Sequence, residues 1–142
     1  MNKNIYIIRH CEATGQAPGA PLTKNGFEQA EKLSLFFKDK KVNQIISSPN
    51  LRAIETIELL ARRLGLEIQT DQRLSERMLS AMPLTDWMEK LQATFEILDL
   101  TYPGGESSYE AMERIVHVVM EVMAGYGYRY PRKHYVAIIQ TL

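Results

Sequence analysis

Apolar residues along this chain follow two rhythms. Ile5-Tyr6-Ile7-Ile8 is an unbroken run, as are Ile45-Ile46 and Val136-Ala137-Ile138-Ile139. Short runs that are apolar on both faces mark central parallel strands covered by helices. They predict strands over residues 4–8, 44–47 and 135–139, with a shorter one at 67–70. Between them the apolar spacing changes to three and four, which is helical. The stripes are Phe27, Ala30, Leu33 and Phe37; Ile54, Ile57, Ala61 and Leu64; Trp87, Leu91, Phe95 and Leu98; and Met112, Ile115, Val119 and Met123.

Punctuation residues set the boundaries. Thr23 reads as a helix N-cap, with Leu22 placed to pack on Phe27. Ser48-Pro49 reads as a cap followed by proline in the first turn, and Gly65 as the stop of that helix. Thr85 is a cap for the third helix, and Ser107 with Glu110 forms a capping box for the fourth. Gly26 inside a first helical turn is a local weakness that either reflects close packing or allows something near the loop. Residues 12–21, 71–83, 102–105 and 125–131 are loops. The order is strand, helix, strand, helix, strand, helix, helix, strand, which argues for an α/β sandwich with a mostly parallel sheet. At 142 residues a single domain over 1–142 is expected, large enough to bury a core.

Composition narrows the function classes. Lys+Arg and Asp+Glu balance at 17 each, so there is no footprint for nucleic acid or an anionic membrane. Any anion site must be local, built from a few arginines. Cys11 is the single cysteine, which rules out an intrachain disulfide and fits a reducing compartment. The apolar start is too short for a signal peptide or a membrane span, so a cytoplasmic protein is expected.

The candidate chemistry lies at strand ends. Arg9-His10 follows the first strand, Arg52 the second and Glu76 the third, and in a parallel sheet those ends share one edge. Two arginines would grip a phosphate. A neutral imidazole could attack phosphorus, and a carboxylic acid could protonate the leaving oxygen. Glu12, close to His10, is the competing acid. A cysteine nucleophile of the tyrosine-phosphatase kind needs an arginine six positions after Cys11, and that position is Ala17. There is no Gly-x-x-x-x-Gly-Lys loop and no clustered metal-ligand pattern, so neither metal nor cofactor is expected.

These segments resemble the histidine phosphatase superfamily, also called phosphoglycerate mutase-like. Arg9-His10 matches its Arg-His-Gly opening. Leu22-Thr23 with Gly26, Gln29 and Ala30 matches Leu-Thr-x-x-Gly-x-x-Gln-Ala. Ser47-Ser48-Pro49 with Arg52, Ala53 and Thr56 matches Ser-Ser-Pro-x-x-Arg-Ala-x-x-Thr, and Leu74-Ser75-Glu76 and Gly104-Gly105-Glu106-Ser107 match two further segments. The resemblance implies a three-layer α/β/α sandwich. It implies a phosphatase acting on small phosphorylated metabolites, with His10 as the nucleophile that becomes phosphohistidine. Arg9 and Arg52 become phosphate ligands and Glu76 the proton donor. Gln16 stands where the family commonly has asparagine and is a further phosphate-ligand candidate.

Departures matter. Cys11 replaces the family's glycine and Ala13 a hydroxyl residue. The family's second histidine, in a His-Gly pair after a final parallel strand, has no counterpart. The three histidines are His10, His117 and His134, and none precedes a glycine. The reading therefore expects a domain short at its C-terminus, with impaired turnover and an exposed edge or helix face that favours a homodimer. A non-catalytic phosphate-binding remnant and a mutase-type phosphotransferase are the alternatives. His117 reads as structural, His134 as a strand-edge residue, and Met112, Met120 and Met123 as core filling.

Overall fold

The computed structural model describes residues 4–124 and 135–140. The chain runs β1 (Asn4–Arg9), α1 (Lys24–Phe36), β2 (Gln44–Ser47), α2 (Leu51–Leu64), β3 (Ile68–Thr70), a 3-10 turn (Gln72–Leu74), α3 (Trp87–Glu96), α4 (Ser108–Ala124) and β4 (Tyr135–Gln140). The four strands form one sheet in the order β1-β4-β2-β3, and every pairing is parallel. The last strand thus inserts between the first and second, with Ile7 opposite Ile138 and Ile46 opposite Ile138 on the other side.

Alternation along the strands separates two cores. Ile45, Ala137 and Ile139 face Ala53, Ile57, Leu60 and Ala61 of α2, and Phe37 at the end of α1. Tyr6 joins them, its ring edge-on to Phe37 at 5.0 Å. Ile46 and Ile138 point the other way, onto Leu74 and onto Val118 and Val122 of α4. Successive side chains of a strand point to opposite faces, so the unbroken apolar runs are the cost of having helices on both sides. This is the expected three-layer sandwich.

Helix boundaries test the sequence reading. Thr23 caps α1, its hydroxyl accepting from the Gly26 amide at 3.0 Å. Gly65 closes α2 in the left-handed region at φ 65°, which a glycine adopts at no steric cost. Ser107 and Glu110 form the reciprocal capping box at 3.0 and 2.9 Å.

Three boundary expectations need correction. α2 begins at Leu51 with Asn50 at the cap, not at Ser48-Pro49. The Ser48 amide is committed to the Ile139 carbonyl of the sheet, and its hydroxyl accepts from the Asn50 amide at 3.2 Å, so the chain turns once before the helix starts. Asp86, not Thr85, stands at the cap of α3, without a side-chain capping bond. β3 begins at Ile68 rather than residue 67.

The buried faces also differ. In α4 the inner face is Ala111, Val118 and Val122, while Met112, Met120 and Met123 are 54%, 60% and 63% exposed. The core places small and β-branched residues against the sheet, and the methionines fall on the opposite face. His117 is likewise exposed. Phe27 is exposed, so the first stripe is only partly core, and the third is not core: Trp87, Phe95 and Leu98 are exposed, Leu91 is half-buried, and the buried residue of α3 is Thr94. Loop 125–131 and His134 lie outside the described residues.

Candidate active site

The candidate site residues lie on loops at the carboxyl ends of β1 and β2 and on the segment after β3. β1 ends at Arg9, which is exposed, and His10 follows, partly buried. His10 Nδ1 lies 2.7 Å from the Cys11 carbonyl oxygen. A carbonyl only accepts, so Nδ1 carries the proton and donates. The lone pair then belongs to Nε2. The Cys11 amide donates to Thr56 Oγ1 at 2.8 Å, and that hydroxyl donates to the Arg52 carbonyl at 2.7 Å. One turn of α2 therefore links the His10 loop to Arg52. Burial pushes the Cys11 thiol up, with a smaller opposing effect from Thr56. A thiol held protonated is a poor nucleophile, in keeping with the failed tyrosine-phosphatase spacing.

Glu12 fixes the same loop to α1. Its carboxylate accepts from Thr23 Oγ1 at 2.8 Å and from Asn25 Nδ2 at 3.0 Å. Its amide donates to Gln29 Oε1 at 2.9 Å, and its carbonyl accepts from the Thr23 amide at 3.0 Å. A side chain on Gly26 would sit 2.1 Å from that carbonyl oxygen. Thr23, Gly26 and Gln29 thus share one task, docking the loop after His10. Bonds from Asn25 and Thr23 hold the Glu12 carboxyl below its usual range. Glu12 is an acceptor in use, which weakens its claim as the proton donor.

Arg52 is the most buried charge of the site, at 1% exposure. Its Nη1 donates to the Gln16 and Ala17 carbonyls at 3.2 and 3.1 Å, and its Nη2 pairs with Glu76 Oε2. Arg52 Nε is buried and has no acceptor among the described residues. Gln16, with its amide oriented to satisfy both atoms, donates to the two Glu76 oxygens at 3.0 and 2.9 Å. Arg52, Glu76 and Gln16 are therefore one cluster. Glu76 comes not directly from a strand end but after the 3-10 turn.

The sequence reading gave no role to the arginines that hold this segment, and took Glu106 as a residue that could line the site. Arg73 pairs with Glu121 of α4 at 2.7 Å and with Asp71 at 2.8 Å, and these carboxylates raise its pKa. Arg77 donates to Ser108 Oγ at 2.5 Å and Thr94 Oγ1 at 2.9 Å. Arg114 pairs through two bonds of 2.8 Å with Glu106, whose carboxyl it holds below the usual range. Glu106 is thereby committed to Arg114. The available signal was an arginine at 114 on the same helical face as Ala111 and Val118, a charge among core positions.

Among the described residues no three histidine, cysteine, aspartate or glutamate side chains gather as metal ligands, and no helix is long and apolar enough to cross a membrane.

The chain is 29% identical over 126 residues to the probable phosphoglycerate mutase GpmB of Shigella dysenteriae, covering 78% of this chain and 59% of that protein. It is 36% identical over 81 residues to a Hydrogenobacter thermophilus protein with a provisional phosphoserine phosphatase name, covering 52% of this chain and 40% of that one. The chain thus spans about two to three fifths of these relatives' length.

Among solved structures, a mycobacterial glucosyl-3-phosphoglycerate phosphatase complexed with inorganic phosphate superposes with a TM-score of 0.75. It is 24% identical, with coverage of 94% of this chain and 70% of that one. The alpha-ribazole phosphatase of Shigella flexneri superposes with a TM-score of 0.74 at 20% identity, with coverage of 96% and 73%. At these identities the structures establish the fold. The sequence pattern of the histidine phosphatase superfamily (branch 1) matches residues 5–130, and the chain belongs to that family.

Proposed function

We propose that this protein hydrolyses small phosphomonoesters through a phosphohistidine at His10. The observation that carries the reading is the buried Arg52 guanidinium, whose buried Nε has no acceptor among the described residues, paired with Glu76 at the edge where the His10 loop is tied. In this mechanism a phosphoryl dianion takes up Arg52 and Arg9 through charge-assisted bonds. Gln16 supplies a neutral donor. The phosphate displaces Glu76 from Arg52 and leaves that carboxyl beside the ester oxygen.

His10 Nε2 attacks phosphorus as the P–O ester bond breaks, and protonated Glu76 gives its proton to the departing alkoxide. Water then attacks the phosphohistidine, Glu76 takes a proton from it, and the P–N bond breaks to release phosphate and free His10. Each proton given in the first step is recovered in the second.

These 142 residues contain no His-Gly pair, and the reading expects lowered turnover from this segment alone for want of a second donor to the phosphoryl group. Loss of one such donor typically costs on the order of 100- to 1000-fold in rate. The mutase name of one relative favours transfer to a second metabolite hydroxyl as the competing outcome.

Rapid-quench labelling with a reactive aryl phosphate, followed by mass spectrometry, tests the reading. A phosphoryl group on His10, lost in His10→Asn, is expected. Turnover that persists in His10→Asn overturns it. Adding 3-phosphoglycerate to the labelled protein separates transfer from hydrolysis.

A further inference from the structure

The segment that carries Glu76 is clamped from α4. Arg114 Nη1 donates to the Arg73 carbonyl at 2.6 Å and to the Ser75 carbonyl at 2.8 Å. The second of these oxygens belongs to the peptide group that joins Ser75 to Glu76. The other edge of the same guanidinium, Nε and Nη2, is fully used by the two Glu106 oxygens. A guanidinium is planar and rigid, so fixing one edge on Glu106 fixes where the other edge holds the Ser75–Glu76 peptide.

Glu106 is itself placed by the glycines before it. The Glu106 amide donates to the Met78 carbonyl at 2.8 Å. A side chain on Gly105 would sit 2.1 Å from the Leu79 carbonyl oxygen, and one on Gly104, at φ 74°, would sit 2.2 Å from Ala81 Cβ. The glycine pair lets residues 78–81 approach closely, and the chain leaves that contact with Glu106 against Arg114. Downstream of Glu76, Arg77 is tied to α3 and α4 through Thr94 and Ser108. Glu76 therefore sits on a short segment anchored on both sides while its own carboxylate reaches Arg52.

We infer that Arg114 and Glu106 are positioning residues for the reaction: they aim the Glu76 carboxyl at the leaving-group oxygen through the Ser75–Glu76 peptide. This rests on the assignment of Glu76 as the proton donor. The consequence is a dependence on the leaving group. A nitrophenolate departs without a proton, whereas an alkoxide needs one in the transition state.

The test uses the full chain and four variants, Glu76→Gln, Glu106→Gln, Arg114→Lys and the exposed control Arg62→Ala, each assayed on p-nitrophenyl phosphate and an alkyl phosphate. Glu76→Gln is expected to slow the alkyl ester on the order of 100-fold or more and the aryl ester far less. Glu106→Gln and Arg114→Lys are expected to show the same selective loss, about 10-fold in kcat for the alkyl ester with KM little changed. Arg62→Ala leaves the ratio of the two rates as it was. Equal losses on both substrates, or none, in Glu106→Gln and Arg114→Lys overturn the inference. Absence of selectivity in Glu76→Gln overturns instead the proton-donor assignment.

Hydrogen exchange reads the clamp without turnover. In both clamp variants the peptide covering residues 72–77 should exchange at least about 10-fold faster, with β2 and α2 unchanged. Unchanged exchange there refutes the clamp.

Discussion

At the scale of single residues, Arg52 and Glu12 show how environment assigns roles. Arg52 has its guanidinium in the protein and its partners at the rim, which suits a donor that accepts an anion from outside. Arg52→Met would strand the Gln16 and Ala17 carbonyls and leave Glu76 without its cation. Unpaired acceptors cost about 1–3 kcal/mol where they are buried. Glu76 is part-exposed, which reduces its share. Gln16 and Ala17 are exposed, so water relieves part of this cost, and the expected result is a modestly lowered urea midpoint with phosphate binding abolished in titration calorimetry. Phosphate binding of wild-type strength in Arg52→Met would remove Arg52 from the site.

Glu12 behaves differently. Its carboxyl is held down by Asn25 and Thr23, so it favours the folded state above the ordinary glutamate pKa of about 4.3. That contribution disappears as pH falls through the lower folded value. A carboxyl-carbon NMR titration of Glu12 should give a midpoint below the ordinary one in the wild type, moving up toward it in Asn25→Ala. A midpoint unaffected by Asn25→Ala would mean that the Asn25 bond is not what holds the carboxyl down.

At the scale of elements, the motifs are explained by contacts rather than by chemistry alone. The start of α1 receives the loop after His10, and the tightest point is Gly26 against the Glu12 carbonyl. Gly26→Ala forces a Cβ into backbone, which cannot yield as a side chain does. Overpacking of this kind costs about 1–3 kcal/mol. The loss should appear in urea unfolding together with slower labelling of His10, because the same loop carries the proposed nucleophile. An alanine variant of wild-type stability would mean that the loop gives way at this point without cost.

The strands and the capping signals at Thr23, Gly65 and Ser107 were legible in the sequence because local hydrogen-bonding geometry decides them. The start of α2 was not, because a sheet bond to the Ser48 amide, made by a strand some ninety residues later, overrides the local serine-proline preference. The α4 face was misjudged for a related reason. Methionine matches core hydrophobicity, but the face turned to the sheet is chosen by what fits beside Ile46 and Ile138, and Val118 and Val122 fit there. His10, Arg52 and Glu76 stood out because reactive residue types sat at element ends. Arg114 did not, because its work is done on the backbone of a segment about forty residues earlier.

At the scale of the whole molecule, the two faces of the sheet are held by different means. On the α1–α2 side the core is broad and apolar, with Phe37, Ile57, Leu60 and Ala61 against Ile45 and Ile139. On the α4 side fewer apolar residues meet the sheet among the described residues, and the connection from β3 to α3 is secured by arginine–carboxylate pairs: Arg73 with Asp71 and Glu121, and Arg114 with Glu106. β1 lies at one edge of the sheet, and on the α4 side its Ile7 is 62% exposed.

Acid should therefore act unequally. The Glu106 carboxyl is held below its usual range by Arg114, so its stabilising contribution is complete above about pH 4.3 and is lost as pH falls through the lower folded value. Protonation there removes the acceptor that orients Arg114, and the Glu76 segment is released while the apolar side is untouched. Hydrogen-exchange protection factors followed from pH 7 to pH 3 should fall first for residues 71–77 and α4, with α2 and β2 retained to lower pH. Glu106→Gln should show the early loss already at pH 7. A uniform fall across both faces would mean that the ion pairs do not partition the stability of this fold, and that the clamp on Glu76 is no weaker to acid than the core behind it.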